Sequence, residues 1–158
     1  MAKLVEDLLV GFHVPVFSGS PRKKLLSTPK FLLFDLGVRH TAAGLTPSPD
    51  LVAANPGPLF EQWVGIELWK RLQYLGDGSL SYLRTRDGAE IDFIVERGGR
   101  LTPIEVKWSE NPALTDARHL LSFCAEHPKH ASQGYIICRC TRPLQRHEKI
   151  TALPWFCL

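Results

Sequence analysis

The chain has 158 residues, of which 44% are hydrophobic and 22% are charged, and its formal net charge is +3. This length predicts one domain, or a domain with a small appendage, and the ordinary composition excludes a wholly disordered chain. No stretch reaches the roughly 18 uninterrupted apolar residues of a membrane-spanning helix. Because Glu6 and Asp7 also interrupt the apolar run near the start, the sequence predicts no signal peptide and a soluble, cytoplasmic protein.

The first 50 residues are predicted to form an N-terminal appendage. Apolar residues recur at helical spacing from Lys3 to Phe12, and residues 30–37 contain an apolar run that ends at a glycine. We therefore expect a short helix followed by a buried strand. Proline-rich breaks follow between residues 46 and 58, which predicts a boundary between the appendage, residues 1–50, and a main domain, residues 51–158.

The main domain alternates helical and strand patterns. Apolar residues at helical spacing predict two amphipathic helices, the first of which ends at Gly76. Two strong turn pairs, Asp87-Gly88 and Gly98-Gly99, predict an antiparallel meander of three strands, and a helical crossover allows a last strand to run parallel to the third. The predicted elements are, in order, helix 59–75, strands 80–86, 89–96 and 101–108, helix 113–127 and strand 134–140. This order predicts an α/β or α+β fold with a mixed sheet.

Strand alternation places charged side chains on one face of the meander. On the second strand the predicted apolar face contains Ile91, Phe93 and Val95. The opposite face then contains Glu90 and Asp92.

The third strand repeats this pattern, with Glu105 and Lys107 alternating with apolar residues. A hairpin that turns within the double glycine pairs residues whose numbers sum to 197. This register brings the apolar faces of the two strands together. It also places Asp92 directly across from Glu105, and Glu90 across from Lys107.

Two interpretations of these four charges remain open. Facing Cβ atoms on paired strands lie about 4.5–5.5 Å apart, so the carboxylates of Asp92 and Glu105 could share one divalent cation. The same alternation is typical of the exposed face of any half-solvated antiparallel sheet. Without a cation, however, facing like charges destabilise a strand pair. A charge cluster in a register that apolar faces set independently therefore favours a functional site.

Other chemistries find less support. The sequence contains neither a GxxxxGK[ST] phosphate-binding loop nor a GxSxG nucleophile elbow, and its six histidines are scattered. The net charge is too small to indicate nucleic-acid binding by itself, but acidic residues dominate residues 51–110 and basic residues dominate both flanks. Such a layout suits a metal centre that acts on a polyanion.

With these residues placed, the chain resembles the PD-(D/E)xK restriction-endonuclease-like superfamily. Asp92, a spacer and Glu105-Val106-Lys107 follow a helix that carries a glutamate, and the superfamily core has the same order of helix, three strands, helix and strand. More narrowly, the chain resembles a family of unknown function found at the C-terminus of bacterial and archaeal AAA-type ATPases. The segments that carry this likeness are residues 29–37, 59–68, 82–96 and 103–109.

The resemblance implies a role for each strand residue of this motif. Asp92, Glu105 and the Val106 carbonyl would hold Mg²⁺ or Mn²⁺. Lys107 would position or activate the attacking water and stabilise charge on the phosphate. Hard oxygen ligands suit Mg²⁺, and a bound metal lowers the pKa of its water, so the physical chemistry agrees with these roles.

The resemblance also implies a carboxylate on the preceding helix. Glu61 is the candidate and would either support the other ligands or bind a metal itself, with Glu67 as the rival residue. The two positions differ by about 240° around a helix, so they cannot both face one metal.

The resemblance therefore implies a metal-dependent nuclease that hydrolyses phosphodiester bonds in DNA. The alternative is a catalytically silent module that binds DNA or a protein partner for an AAA-type ATPase. The intact Asp92, Glu105 and Lys107 favour the nuclease, whereas the weak basic character favours the silent module. The sequence leaves the oligomeric state open.

Overall fold

The computed structural model describes residues 10–19, 28–46 and 48–158, and it has a mixed α/β architecture. The helices in these ranges are α1 (Leu36–Ala42), α2 (Pro49–Ala54), α3 (Pro56–Leu75) and α4 (Arg118–Glu126). The strands are β1 (Gly11–Val14), β2 (Lys30–Leu33), β3 (Ser79–Arg84), β4 (Glu90–Arg97), β5 (Arg100–Val106), β6 (Gly134–Cys138), β7 (Leu144–His147) and β8 (Ile150–Pro154). No helix in the described ranges is both long and apolar enough to cross a membrane.

Six strands form one mixed sheet in the order β3-β4-β5-β6-β8-β7. The first three are antiparallel, β6 runs parallel to both β5 and β8, and β7 pairs antiparallel with β8 at the edge. The predicted meander and the predicted parallel strand are therefore confirmed. The sequence patterns did not predict β7 and β8, which are only four and five residues long.

Glycine conformations end the long helix and set the hairpin register. Gly76 follows α3 with a positive φ of 68°, the left-handed conformation that commonly ends a helix. Gly98 and Gly99 also have positive φ values, 56° and 74°, as a type I′ hairpin turn requires. The resulting register pairs Phe93 with Ile104, as the sequence predicts.

The N-terminal strands form a two-stranded antiparallel sheet of their own. Residues 1–9, which carry most of the predicted N-terminal helix, lie outside the described residues, and Phe12 belongs to β1 rather than to a helix. An isolated bridge joins Val16 to Tyr82 of β3. Side chains of β1 and β2 also share a hydrophobic cluster with α3. The division at residue 50 stays a prediction.

The predicted strand over residues 30–37 is wrong in its second half. Strand β2 ends at Leu33, and α1 begins three residues later. The cause is Asp35, whose carboxylate accepts a hydrogen bond from the Val38 N–H at 2.8 Å and caps the new helix. The second predicted helix, residues 113–127, is also divided, because a 3₁₀ turn over Leu114–Ala117 precedes α4.

Two hydrophobic clusters pack against the main sheet. The first contains side chains of α3 together with Phe93, Ile104 and Val106. The second contains side chains of α4 together with Ile91 and Ile94. The sheet is thus covered by one helix on each face, as a layered α/β fold requires.

A bulge in β4 interrupts the alternation of its side chains. The register shifts between two flanking pairs, Ser81 with Ile94 and Leu83 with Ile91. Tyr82 therefore opposes two residues, Asp92 and Phe93, as in a β-bulge. Because of the extra residue, Ile91 packs in the second cluster while Phe93 and Val95 pack in the first. The predicted face shared by all three apolar residues is wrong at Ile91.

Gly65 of α3 packs closely against side chains of β2 and β4. An added Cβ would lie 2.6 Å from Leu32 Cδ1 and 2.7 Å from Phe93 Cζ, and the Phe93 ring is fully buried. We expect Gly65→Ala to lower the free energy of unfolding by about 1–3 kcal/mol, because this overpacking outweighs the usual helical preference for alanine. Urea denaturation measures the change. Gly57→Ala is the control, since an added Cβ there meets nothing within 4 Å and should not destabilise.

Candidate functional site

A cleft of about 680 Å³ opens at one end of the main sheet. It lies between the start of α3, the beginning of β4, the end of β5 and the 3₁₀ turn before α4. The structure brings all the residues that the resemblance singles out to this cleft, namely Glu61, Asp92, Glu105, Val106 and Lys107.

Asp92 is nearly buried, with a relative exposure of 9%. Its Oδ2 accepts a hydrogen bond from the Val106 N–H at 2.8 Å. The regular pairing of β4 with β5 stops at Phe93 and Ile104, one residue short of the predicted Asp92–Glu105 pair. At the bulge, the Val106 N–H therefore donates to the Asp92 carboxylate and not to a backbone carbonyl of β4, as it would in a regular pair of strands.

The environment of Asp92 disfavours its charged form. Burial, followed by repulsion from the carboxylates of Glu105 and Glu61, raises the pKa of Asp92 from 3.8 to about 7. The hydrogen bond from Val106 and the positive charge of Lys30 oppose this shift. Three carboxylates are therefore close enough to repel one another, which is the condition under which a cation would bind.

Glu105 and Lys107 form an ion pair at the end of β5. Glu105 Oε1 lies 2.9 Å from Lys107 Nζ, whereas the buried Oε2 has no hydrogen-bond partner. Burial raises the pKa of Glu105, and the ion pair with Lys107 opposes that shift. Burial would lower the pKa of Lys107, but its hydrogen bond to Glu105 raises it, so the ammonium stays protonated.

The two candidate carboxylates of α3 have different surroundings. Glu61 lines the cleft, and its Oε1 lies 2.9 Å from Lys30 Nζ. Glu67 does not line the cleft and makes ion pairs of 3.0 Å with Lys70 and Arg71 of its own helix. Of these two residues, only Glu61 is therefore placed to act with Asp92.

Glu90 does not make the contact that the register predicts. Its carboxylate lies 3.8 Å from Lys30 Nζ and 3.8 Å from Arg84 Nε, while Lys107 pairs with Glu105 instead. The reason is the bulge, because the register of the hairpin does not continue past Phe93.

Lys30 is the site residue that the sequence reasoning missed. Burial lowers the pKa of Lys30, but the ion pair with Glu61 and the negative charges of Asp92 and Glu90 together outweigh burial and raise it. No local pattern marks this lysine, because Glu61 lies 31 residues further along the chain. The one feature of the sequence that could have indicated Lys30 as a site residue is its position in residues 29–37, a segment that carries part of the family likeness.

The donor set of the cleft suits a hard divalent cation. Carboxylate and carbonyl oxygens are the ligands that Mg²⁺ and Mn²⁺ prefer. In the described ranges no three His, Cys, Asp or Glu side chains stand together as a ready ligand group, and lysines engage both Glu61 and Glu105. Two groups nevertheless fit a cation. A bound ion would give the unpartnered Oε2 of Glu105 a partner, and it would neutralise the negative charge of the buried Asp92 carboxylate.

A family model and two relatives match this chain. The model of a domain of unknown function, DUF4143, matches residues 56–158. An uncharacterised protein of Mycobacterium bovis is 30% identical over 113 residues, which are 71% of this chain and 25% of that protein, and an uncharacterised protein of Mycobacterium tuberculosis shows the same values. The chain thus spans about a quarter of the length of these relatives. No solved structure matches. Because the family model covers well over half of the chain, this protein belongs to the DUF4143 family.

Proposed function

We propose that this domain is a metal-dependent nuclease that hydrolyses phosphodiester bonds in DNA with Mg²⁺ or Mn²⁺. The observation that carries the proposal is the convergence of Asp92, Glu105 and Lys107 in one cleft. The proposal includes a restriction-endonuclease-like core, which the order of a helix, three antiparallel strands, a helix and a parallel strand supports.

The strand residues would have two roles, binding of the metal ion and stabilisation of negative charge on the phosphate. Asp92, the unpartnered oxygen of Glu105 and the Val106 carbonyl would hold the ion. A bound ion supplies a nucleophilic water at neutral pH and stabilises negative charge on a phosphate. Lys107 provides a point charge on a flexible stem, and 36% of its side chain is exposed, so its ammonium can turn from Glu105 towards a phosphate oxygen.

The walls of the cleft favour an anionic substrate. The first turn of α3 lines the cleft at Gly57 and Pro58 and has no side-chain cap. Pro56 and Pro58 have no N–H group, so the helix dipole and the N–H groups of Gly57 and Leu59 are what attract an anion at this terminus. Arg118 lines the wall on the side of α4. These features support a phosphate-rich substrate such as DNA.

Metal binding and cleavage together test the proposal. We expect millimolar Mn²⁺ to raise the melting temperature, because a ligand at about a hundredfold excess over its Kd stabilises the folded state by about 2.7 kcal/mol. We also expect Mn²⁺ or Mg²⁺ to support cleavage of plasmid or single-stranded DNA, with EDTA as the control. The proposal would be contradicted if both effects were absent, that is, if neither ion raised the melting temperature and neither supported cleavage.

One observation favours the second candidate, a catalytically silent module that binds DNA or a protein partner for an AAA-type ATPase. The ion pairs of Lys30 with Glu61 and of Lys107 with Glu105 offset part of the cleft charge without a metal. The curated relatives are about four times as long as the part that matches, which leaves room for an ATPase module. Stable folding and DNA binding without metal and without cleavage would favour this module.

A further inference from the structure

The ammonium group of Lys30 lies among the carboxylates of the cleft. Its Nζ is 2.9 Å from Glu61 Oε1 and 3.8 Å from Glu90 Oε1. The same Nζ lies over two aromatic rings, 5.0 Å from the centroid of Tyr82 and 5.7 Å from that of Phe93. The lysine thus contacts two carboxylates and two ring faces, all of which attract a cation.

The position of this ammonium is set by the fold. Lys30 is the first residue of β2, and only 21% of its side chain is exposed. At the other end of the strand, the Gln62 side chain donates a hydrogen bond to the Leu33 carbonyl at 2.9 Å. Since Glu61 and Gln62 are neighbours on α3, the helix holds both ends of β2 and keeps Lys30 at the cleft.

We propose that the Lys30 ammonium occupies the place that a second divalent cation would take beside Glu61, so that the cleft binds a single metal ion at Asp92 and Glu105. This inference rests on the metal-dependent function proposed above. It makes Glu61 a partner of Lys30 and not a metal ligand.

The charges of the cleft support one ion rather than two. The interacting groups here are five carboxylates (Glu61, Glu90, Asp92, Glu105 and Asp116), the ammonium groups of Lys30 and Lys107, and the Arg84 guanidinium, which together give a formal charge of −2 when all are ionised. One divalent ion neutralises that charge, whereas a second would leave an excess of +2. Two-metal sites place their ions about 3.5–4 Å apart, so a second ion would have to lie close to the first, beside Glu61. The Lys30 ammonium already lies 2.9 Å from Glu61 Oε1 and would repel that ion.

Counting bound Mn²⁺ ions by titration calorimetry tests this inference without any measurement of activity. We expect one ion per chain in the wild type and two in Lys30→Met, because this variant removes the ammonium group that pairs with Glu61. Exchange coupling between Mn²⁺ ions in the electron paramagnetic resonance spectrum should appear only in the variant, because it requires neighbouring ions. Lys70→Met is the matched control, since Lys70 pairs with Glu67 on the same helix but outside the cleft, and it should bind one ion.

A second pair of variants identifies the carboxylate involved. Lys30→Met/Glu61→Gln should bind one ion again, because it lacks the carboxylate that the second ion needs. Glu61→Gln alone should keep the wild-type affinity for one ion. Glu61→Gln also tests the inference if Lys30→Met fails to fold. A loss of Mn²⁺ affinity of about tenfold or more would show that Glu61 binds the ion or supports one of its ligands, which would overturn its assignment as a partner of Lys30 alone.

The outcomes separate this inference from the proposed function. Two ions in the wild type, or one ion in both the wild type and Lys30→Met, would overturn the role of Lys30 and leave the metal-dependent function intact. If neither protein binds Mn²⁺, the proposed function fails and the inference fails with it.

Discussion

Replacing Lys107 with alanine is expected to slow DNA cleavage by about 10²- to 10³-fold, the loss typical when one group that stabilises transition-state charge is removed. Mn²⁺ should still bind, because Lys107 contributes no ligand and its removal frees Glu105 Oε1. The effect should therefore appear in kcat, while the Kd for Mn²⁺ stays the same or decreases. Single-turnover cleavage and calorimetric titration of the same preparation measure the two quantities.

Lys129→Ala is the matched control for Lys107→Ala. It removes the same charge from an exposed position that does not line the cleft, so both cleavage and Mn²⁺ binding should persist. Wild-type cleavage by Lys107→Ala would show that the cleft is not the catalytic site. Loss of Mn²⁺ binding in the same variant would mean that Lys107 organises the ligands.

Replacing Asp92 with asparagine is expected to stabilise the protein without metal and to abolish stabilisation by Mn²⁺. The asparagine oxygen can still accept the Val106 N–H, so the backbone contact is kept while the repelling charge is removed. A rise in pKa from 3.8 to about 7 is roughly three pKa units, which sets an upper limit of about 4 kcal/mol on the gain. Urea denaturation near pH 8 measures the free energy of unfolding.

The sign of the pH dependence follows from the raised pKa of Asp92. The folded protein holds this proton more tightly than the unfolded chain does, so the penalty is absent below about pH 4, grows up to about pH 7 and is complete above it. The wild type should therefore lose stability over this range relative to Asp92→Asn. Glu96→Gln, on an exposed position of the same strand, should follow the wild-type profile. If Asp92→Asn is destabilising at pH 8, Asp92 serves as a structural hydrogen-bonding residue.

Much of the main domain could be predicted because its signals are local. The helix before Gly76 has a continuous apolar face and a left-handed C-terminal residue. The double glycine at positions 98 and 99 determines the hairpin register, and the pairing of Phe93 with Ile104 follows from it. These features depend on residues that are close together in the chain.

The remaining features depend on contacts between distant segments. The bulge at Asp92 is defined by the opposing Tyr82 of another strand, so alternation within β4 alone predicts the wrong face for Ile91. Lys30 reaches Glu61 across 31 residues of sequence. The capping of α1 by Asp35 is local, but the apolar run before it favours a longer strand.

The hydrogen bond between the Asp92 carboxylate and the Val106 N–H also bears on how freely this site can change during evolution. The donor is a main-chain group, which every amino acid except proline possesses. Substitutions at position 106 are therefore limited by the packing of the buried side chain, while the carboxylate keeps its anchor. A substitution at a neighbouring apolar position changes the packing of the core, but it does not remove the main-chain donor that orients the Asp92 carboxylate.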